Sequence, residues 1–577
     1  MNSLVLALIG VAMILAGYFL YSKFLATRIY ALDDSIPTPA HQLEDGVDYV
    51  PTNKYVLWGH HFTSVAGAAP IVGPAIAVIW GWLPAFLWVT IGTVFFAGMH
   101  DLGALWASIR NRGQSIGALS GRYIGARGRN LFLVVIFLLL LMVNAAFSVV
   151  IANLLVATPT AVIPTWGALL VALAVGQAIY RLRWSLPLVS VVGVVALYTL
   201  IWIGDQVPLA LPETAFGLPA NSVWIILLFL YAGIASMLPV WVLLQPRDYI
   251  NGLQLFIALG ILYGSVLLAR PEIVAPAVNS NVPEGTPSIV PLLFVTIACG
   301  AISGFHGMVS SGTSSKQLDK ESDARFVGYF GAVGEGLLAL GSIIAATAGF
   351  ASLAAWEEVY NAFGAGSVGA FVSGGGAIVE SGLGLPQSLS ATILATTAIL
   401  FAATTMDTGV RLQRFVVQEI GDIAGVSLGK GVATVVAVGV ALALTFGAGA
   451  DGSGGMLIWP LFGTTNQLMA ALTLSIIAIM LMRRGRTPLP ALIPLAFVGV
   501  MTIYALFIQL GTFWNTQNWL LLILDLVILV AAVWVMVEAA VAMKGAKDYD
   551  GDDDAELAAL SGREQPVEHV GDHPPHD

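Results

Sequence analysis

The chain alternates between long apolar runs and short polar segments over most of its length. Fifteen of these runs approach the roughly 20 apolar residues that a helix needs to cross a bilayer. They lie at about residues 3–22, 62–79, 83–107, 131–157, 162–179, 186–203, 221–244, 252–269, 288–311, 327–353, 386–406, 428–447, 455–480, 488–510 and 518–541. The pattern predicts an all-α polytopic membrane protein with about 15 transmembrane helices, since a transmembrane β-barrel would show short alternating segments. The Gly-rich stretch 364–380 adds a candidate re-entrant segment.

The composition supports this class and excludes several kinds of site. Hydrophobic residues make up 58% of the chain and charged residues only 10%, against about 25% charged in soluble proteins. The single cysteine, Cys299, excludes an internal disulfide framework and a multi-cysteine metal or iron–sulfur site. The first apolar run lacks a basic start and a clear cleavage site, so it is predicted to be a retained helix.

The positions of Lys and Arg predict how the spans are oriented, because cytoplasmic loops collect basic residues. If the N-terminus lies outside and the spans alternate, all of the 24 Lys and Arg except Arg270 fall in inside segments. A missing span would invert every later loop, so the agreement supports both the parity and the orientation. The C-terminus is then cytoplasmic, and the acidic tail at 544–577 is expected to be disordered. Metal binding by its histidines is the alternative; these are His569, His573 and His576.

Gly and Pro interrupt two spans that lie five spans apart. The second span reads SVAGAAPIVGPAIAV, and the seventh reads LYAGIASMLPVWVLLQP with interruptions at Gly233 and Pro239. Irregular backbone within a membrane persists only where protein or a polar cavity satisfies it, and secondary transporters build their sites from such discontinuous helices. The two spans run in opposite directions, as a five-plus-five inverted repeat requires. The alternative is that Gly and Pro are common in membrane helices.

The ninth span is the most polar one and contains His306, an intramembrane ionisable residue and therefore a functional candidate. Histidine can change its charge near neutral pH, but a neutral structural histidine bonded to a carbonyl is also consistent with the sequence. His100 and Asp101 form either a proton relay or a packing pair, and Glu335 lies deepest among the acids. Asp407 precedes Arg411 by four residues, which predicts a local ion pair. Further intramembrane polar residues are Asn144, Asn153, Asn466 and Gln467.

Several catalytic chemistries lack the residues that they need. A zinc hydrolase of the HExxH type is excluded because that motif is absent, and adjacent His60 and His61 would point about 100° apart on a helix. The sequence SGGGA at 373–377 is not a phosphate-binding loop, since no Gly-Lys-Ser/Thr follows it. No catalytic residue, bound metal or cofactor is predicted, and the chain is not expected to be an enzyme.

Long motifs carry a resemblance to a known family. They are GHHFTSVAGAAPIVGP, AFLWVTIGTVFFAGMHDLGALWASIRNRGQSIG, LLQPRDYIN, CGAISGFHGMVSSGTSSKQLDKESDARFVGY, GEGLLA, FAATTMDTGVRLQRF and WPLFGTTNQLMAAL, between about residues 50 and 475. The sequence resembles the carbon starvation protein A (CstA) family of bacterial inner-membrane transporters. The resemblance implies uptake of pyruvate or peptides when carbon is scarce, with proton-coupled pyruvate symport in some members and peptide uptake in others. It also implies a LeuT-type core of two inverted five-helix repeats, as in the amino acid–polyamine–organocation (APC) superfamily, and a small soluble accessory protein as a candidate partner.

These considerations predict a secondary active transporter in the bacterial inner membrane. Its substrate is expected to be pyruvate or a similar small carboxylate, with peptide uptake and nutrient sensing without transport as alternatives. No nucleic-acid partner is expected, and the lipid bilayer surrounds the protein. The predicted division is a first helix and linker, a first repeat, a second repeat, additional helices and the tail, at 1–61, 62–203, 221–410, 428–543 and 544–577.

The two breaks are expected to face each other and to bind the substrate. A half-helix N-terminus can hold a carboxylate, and no proposed span offers an arginine at depth. The predicted substrate-binding residues are Ala66, Gly67, Ala68, Ala69, Pro70, Gly233, Ser236 and Ser303. The coupling ion is either a proton on His306 or a sodium ion held by hydroxyl groups and the carbonyls near Ala66 and Ala69. The predicted coupling residues are His306, Ser310, Ser311, Thr313, His61, His100, Asp101 and Glu335.

Overall fold

The apolar runs form membrane-length helices, because a helix satisfies its own backbone hydrogen bonds in lipid. A computed structural model describes residues 1–46, 48–239, 242–447 and 454–547. Within these ranges, thirteen helices are long and apolar enough to cross a membrane, and one bent helix pair can form a fourteenth span. The predicted acidic tail, including its histidines, lies outside the described residues from residue 548 onwards.

The helices follow one another with short connections. The first half contains α1 (Ser3–Ile29), α2 (Lys54–Ala66), α3 (Ala69–Trp80), α4 (Trp82–Ile109), α5 (Ile116–Tyr123), α6 (Ala126–Ala157), α7 (Pro159–Ile179), α8 (Leu186–Gln206), α9 (Ala220–Met237) and α10 (Leu244–Ala269). A two-stranded antiparallel hairpin precedes α9, with strands β1 (Thr214–Ala215) and β2 (Leu218–Pro219).

The second half contains two short helices that flank a break, followed by further long helices. They are α11 (Ile289–Thr296), α12 (Gly304–Gly312), α13 (Arg325–Ala348), α14 (Leu353–Val359), α15 (Ser367–Leu383), α16 (Gln387–Ile423), α17 (Lys430–Gly447), α18 (Gly454–Arg483), α19 (Leu489–Asn515) and α20 (Trp519–Lys547). Each of the fifteen predicted spans corresponds to one of these helices or helix pairs.

The predicted break in the second span is confirmed. α2 ends at Ala66, α3 begins at Ala69, and the two helices meet at an angle of 44°. Gly67 adopts φ +52°, a conformation that favours glycine. Pro70 occupies the first turn of α3, where its missing N–H leaves no helical hydrogen bond unmade. These residues therefore end one half-helix and start the next.

The predicted break in the seventh span is wrong. α9 continues through Gly233 to Met237, and Pro239 lies in the connection to α10. The second break instead lies in the ninth span, where residues 297–303 separate α11 from α12. The sequence CGAISG in this segment has no proline, so the Gly and Pro pattern favoured the wrong span.

The two broken spans run antiparallel and in contact. A Cβ atom on Gly73 of α3 would overlap the carbonyl oxygen of Thr296, the last residue of α11. At the other end, His61 of α2 lies 2.8 Å from the hydroxyl oxygen of Ser314, just beyond α12. The first half of each broken span therefore lies beside the second half of the other.

Helix packing repeats in two halves of the chain. In one half, α6 packs on α9 and α2 packs on α10. In the other half, α16 packs on α17 and α12 packs on α18 in the same way. One half then consists of α2/α3, α4, α6, α9 and α10, and the other of α11/α12, α13, α16, α17 and α18. Since α7 and α8 are inserted into the first half, the packing favours a different division from the predicted repeats at 62–203 and 221–410.

Ion pairs join the polar segments at one end of the bundle, which we term the basic end. The Arg110 guanidinium lies 2.6 Å from the Glu321 carboxylate, and Lys54 lies 3.8 Å from Asp323. The Asp33 backbone N–H also donates to Glu321, at 2.7 Å. These contacts hold the connection between α12 and α13 against the segments that follow α1 and α4.

Most of the Gly-rich stretch 364–380 belongs to helix α15, which begins at Ser367 and lies at the end of the bundle opposite the basic end. Gly374 packs backbone to backbone against Gly349, just after α13 ends. Gly382 packs against Ser265, near the end of α10, and Gly376 against Ala391, near the start of α16. Since all these contacts are at helix ends, α15 covers that end of the bundle.

Candidate functional site

Two clusters of buried charged side chains lie on different faces of α2. His60 and His61 are adjacent on this half-helix, and adjacent helical side chains point about 100° apart. His60 bonds to α10, whereas His61 bonds to the segment after α12. Both side chains are almost completely buried. Each imidazole therefore lies between helices.

The first cluster joins α4, α12 and α13, and we term it the His306 cluster (His100, Asp101, His306 and Glu335). Asp101 accepts hydrogen bonds from Nδ1 of His100 and Nδ1 of His306, both at 2.8 Å. Nε2 of His306 lies 3.2 Å from the Glu335 carboxylate. All four side chains are buried, so the sequence-predicted residues are brought together from three helices.

The His306 cluster brings together imidazole and carboxylate groups, which can each bind a proton. An imidazole that faces carboxylates through both ring nitrogens can donate to both only in its protonated form. Two carboxylates buried in a low dielectric also require compensating positive charge or bound protons. His61 approaches the same cluster, because its ring packs against Gly331, one turn before Glu335 on α13. The cluster therefore places two carboxylates and two imidazoles away from bulk solvent.

The second cluster joins α2, α9, α10 and α16, and we term it the Arg247 cluster (His60, Tyr231, Arg247, Asp248 and Asp407). Arg247 donates to Tyr231, to Asp407 and, at 3.0 Å, to Asp248. Asp248 also lies 2.8 Å from Nδ1 of His60, and Tyr231 donates to Asp407 at 2.6 Å. The expectation that no span contains a buried arginine is wrong, because α10 begins at Leu244 and includes Arg247, which is only 1% exposed.

The predicted ion pair between Asp407 and Arg411 is also wrong. Asp407 pairs with Arg247 across helices, while Arg411 donates to the carbonyls of Ala235 and Leu238. Arg414 donates to the carbonyl of Ser236. Cations at a helix C-terminus compensate its free carbonyls and its partial negative charge. The two arginines of α16 therefore bind carbonyl groups at the end of α9.

The predicted substrate residues divide between the two breaks and α9. Ala66, Gly67, Ala68, Ala69 and Pro70 form the first break, where the ring of Phe147 and the Thr405 hydroxyl pack against Gly67. Thr404 and Thr405 of α16 donate to the carbonyls of Thr63 and Ser64, at 3.2 and 3.3 Å. Hydroxyl groups from α16 therefore bind the end of α2.

Ser303 lies at the second break, where Asn466 of α18 caps α12. The Asn466 amide oxygen accepts from the Ser303 hydroxyl at 3.2 Å and from the Phe305 N–H at 2.9 Å. Gly233 and Ser236 do not join either break. Gly233 faces α17, and the Ser236 hydroxyl donates back to the Gly233 carbonyl at 2.9 Å.

Two of the three hydroxyl groups predicted to hold sodium, those of Ser311 and Thr313, form hydrogen bonds elsewhere. Ser311 donates to the Gly307 carbonyl at 2.7 Å and accepts from the Ile116 N–H at 2.9 Å. Thr313 donates to the Val309 carbonyl at 2.9 Å. The Ser310 hydroxyl is buried without a hydrogen-bond partner in the described part of the chain. The bonds of Ser311 and Thr313 are therefore local to α12 and α5, and do not reach the carbonyls of the first break.

A cavity of about 330 Å³ lies at the basic end between α5, α6, α12 and α16. Lys316 and Asp48 line its polar rim, and Leu140 of α6 lines its apolar wall. Met308 and Ser311 of α12 also line it, so it extends to within one turn of His306. The cavity therefore lies directly against α12, the second half of a broken span.

Sequence reasoning missed the Arg247 cluster and the α16 hydroxyls. The motifs LLQPRDYIN and FAATTMDTGVRLQRF contain Arg247, Asp248, Thr404, Thr405 and Asp407, so the signal was present. Hydropathy placed Arg247 in a loop before residue 252, although α10 begins at Leu244. Charged residues within the long motifs therefore indicated the residues of the buried clusters better than the span boundaries drawn from hydropathy.

Comparisons with known proteins agree with this architecture. A solved structure of a histidine-to-alanine mutant of the Eremococcus coleocola manganese transporter aligns with a TM-score of 0.52 at 12% identity, over 87% of this chain and 99% of that one. At this identity the likeness concerns the fold alone. It bears out the predicted all-α membrane architecture with a LeuT-type core.

Relatives at the sequence level are named as transporters. The chain is 34% identical to the peptide transporter CstA of Helicobacter pylori strain J99, over 87% of this chain and 82% of that protein. It is 33% identical to the peptide transporter CstA of Bacillus subtilis, over 90% and 91%. It is 34% identical to the pyruvate/proton symporter BtsT of Escherichia coli, over 60% of this chain and 49% of that protein.

The model of the family described as carbon starvation protein CstA matches residues 2–354 and 350–505. Together these ranges include both broken spans and both buried clusters. The chain therefore belongs to the carbon starvation protein CstA family.

Proposed function

We propose that this protein is a secondary active transporter that imports pyruvate or a similar small carboxylate together with protons. The His306 cluster carries the proposal, since it holds two carboxylates and two imidazoles at depth, beside the second broken span. Intramembrane ionisable groups of this kind commonly form proton relays. The Escherichia coli relative BtsT is named a pyruvate/proton symporter, which agrees with this substrate and this ion.

In the proposed mechanism, the substrate carboxylate binds at the first break. The N-terminus of α3 carries a positive partial charge, which favours an anion. The N-terminus of α12 is less suitable, because the Asn466 side chain already accepts the Phe305 N–H. The proton binds between His306 and Glu335, where it neutralises one carboxylate and allows the two broken spans to move together.

The sidedness follows from the basic residues. We place the N-terminus outside and the C-terminus in the cytoplasm of the bacterial inner membrane, so that the basic end is cytoplasmic. The cavity lined by Lys316 and Met308 is then the inward path for the substrate. A small soluble accessory protein would bind from this same side.

Peptide uptake is the second candidate, because the Helicobacter and Bacillus relatives are named as peptide transporters. Sodium is the second candidate ion, and the hydroxyls of Thr404 and Thr405 with the carbonyls of Thr63 and Ser64 are its proposed ligands. These are hard oxygen atoms of the kind that such a cation prefers.

The test measures uptake of labelled pyruvate and labelled dialanine into proteoliposomes with an imposed proton or sodium gradient. We expect the proton gradient to drive accumulation of pyruvate and the sodium gradient to have no effect. No response to either gradient would contradict symport, and binding without counterflow would identify a sensor. Product formation in detergent without any gradient would identify an enzyme.

Glu335→Gln separates coupling from substrate binding. We expect this variant to lose proton-driven accumulation but to retain counterflow, because the amide keeps the shape and cannot hold the proton. Glu358→Gln, at an exposed position on α14, is the matched control and should behave as the unchanged protein. Proton-driven accumulation by Glu335→Gln at the unchanged rate would remove Glu335 from the coupling site.

A further inference from the structure

The Arg247 cluster contains more negative than positive charge. Asp248 and Asp407 are 0% exposed and Arg247 is 1% exposed, so all three charges are withdrawn from solvent. With His60 neutral, two carboxylates face one guanidinium. Burial of an uncompensated charge is costly, so a cluster of this composition binds one more positive charge.

His60 is the group best placed to carry that charge. Its Nδ1 lies 2.8 Å from the Asp248 carboxylate, and the Ser64 hydroxyl donates to the same oxygen at 3.4 Å. The other Asp248 oxygen accepts from Arg247 at 3.0 Å. A protonated imidazole at this position donates to Asp248 and brings the formal charge of the cluster to zero.

Among the described residues, no other cation on the neighbouring helices donates a hydrogen bond to Asp248 or Asp407. On α9, Tyr231 is a neutral donor to Asp407. On α16, Arg411 lies one turn beyond Asp407 but donates to the carbonyls of Ala235 and Leu238. On α10 and α2, the charged or titratable residues that face the pair are those of the cluster itself.

We propose that the His60–Asp248 pair is a second proton-binding site, separate from the His306 cluster, and that two protons accompany each substrate molecule. This inference rests on the proposed function. The two sites occupy different faces of α2, which is the first half of a broken span. Movement of that half-helix changes the surroundings of both sites, so both protons are coupled to the same transition.

The proposal has a measurable electrical consequence. One proton with a pyruvate anion moves no net charge, whereas two protons move one positive charge per cycle. An inside-negative potential therefore accelerates uptake by the unchanged protein. His60→Asn should remove this effect, because the asparagine amide can replace the Nδ1 donor but cannot bind the proton.

The experiment determines the number of protons per substrate from the zero-flux condition in proteoliposomes. The substrate gradient is balanced against imposed pH and potassium–valinomycin gradients, with labelled pyruvate in one arm and labelled dialanine in the other. We expect two protons for the unchanged protein and one for His60→Asn. Asp407→Asn should also give one, because it removes the excess negative charge that holds the proton. His41→Asn, at an exposed histidine, is the control and should give two.

The possible results separate this proposal from the proposed function. One proton in the unchanged protein, or two in His60→Asn, overturns the second site and leaves proton symport standing. A value of zero, or no transport of either substrate, overturns proton symport and the second site with it. If His60→Asn is not inserted correctly into the membrane, the test rests on Asp407→Asn. Two protons per substrate in that variant would overturn the second site.

Discussion

Gly73→Ala tests whether the two broken spans must lie in direct contact. The added Cβ would overlap the Thr296 carbonyl oxygen and would lie 3.3 Å from the Cα atom of Ile297. Both neighbours are main-chain atoms, so a rotation of a flexible side chain cannot relieve the overlap. α3 must move away from the end of α11, which changes the spacing of the two breaks.

The expected magnitude follows from overpacking and helix propensity. Overpacking a close contact costs about 1–3 kcal/mol, whereas alanine at an open helical site gains up to about 1 kcal/mol over glycine. Gly260→Ala provides the open site, since a Cβ on Gly260 of α10 has no heavy atom within 4 Å. Because both glycines lie within helices, the propensity gain is common to the two variants, and they should differ by the overpacking cost of about 1–3 kcal/mol in free energy of unfolding.

The assay is equilibrium unfolding in mixed detergent and SDS micelles, with substrate uptake into proteoliposomes measured on the same preparations. We expect Gly73→Ala to be less stable than Gly260→Ala and to lose most of its uptake. Equal stability and full uptake in both variants would refute the reasoning. Such a result would show that α3 can move away from Thr296 without loss of stability or function.

Two further substitutions test the buried charges. Arg247→Gln should lower the free energy of unfolding by about 3–5 kcal/mol, since it leaves two carboxylates buried without their cation; adding Asp407→Asn should recover part of the loss, and no recovery would contradict the pairing. Asp525 of α20 is buried and neither of its carboxylate oxygens has a partner in the described part of the chain. Asp525→Leu should therefore raise the stability by about 1–3 kcal/mol in the same unfolding assay, and a loss of stability would show that this carboxylate has a partner.

The sequence was sufficient to predict the membrane-spanning helices and to select the individual residues of the His306 cluster. An ionisable residue within a long apolar run is conspicuous, so His306, Asp101 and Glu335 could be selected individually. Their assembly could not be predicted, because it depends on how α4, α12 and α13 meet in space. The prediction of a proton relay by His100 and Asp101 remains a prediction, although the structure adds His306 to the pair.

The second break was missed for a physical reason. Proline and glycine interrupt a helix most visibly, but Gly233 lies within a regular helix and Pro239 follows its end. The true break at residues 297–303 depends on tertiary contacts, chiefly the Asn466 cap on α12. A cap supplied by a helix more than 160 residues later leaves no local pattern in the sequence.

The position of α7 and α8 restricts how the chain could have acquired its present length. These two helices, at Pro159–Ile179 and Leu186–Gln206, interrupt one half of the bundle while the packing on either side matches the other half. An ancestor could gain a pair of spans without changing the membrane orientation of the later helices, whereas the gain of a single span would have inverted the orientation of all of them. Any alignment of the two halves must therefore include a gap of one hairpin, and a fixed offset between equivalent helices will mispair them.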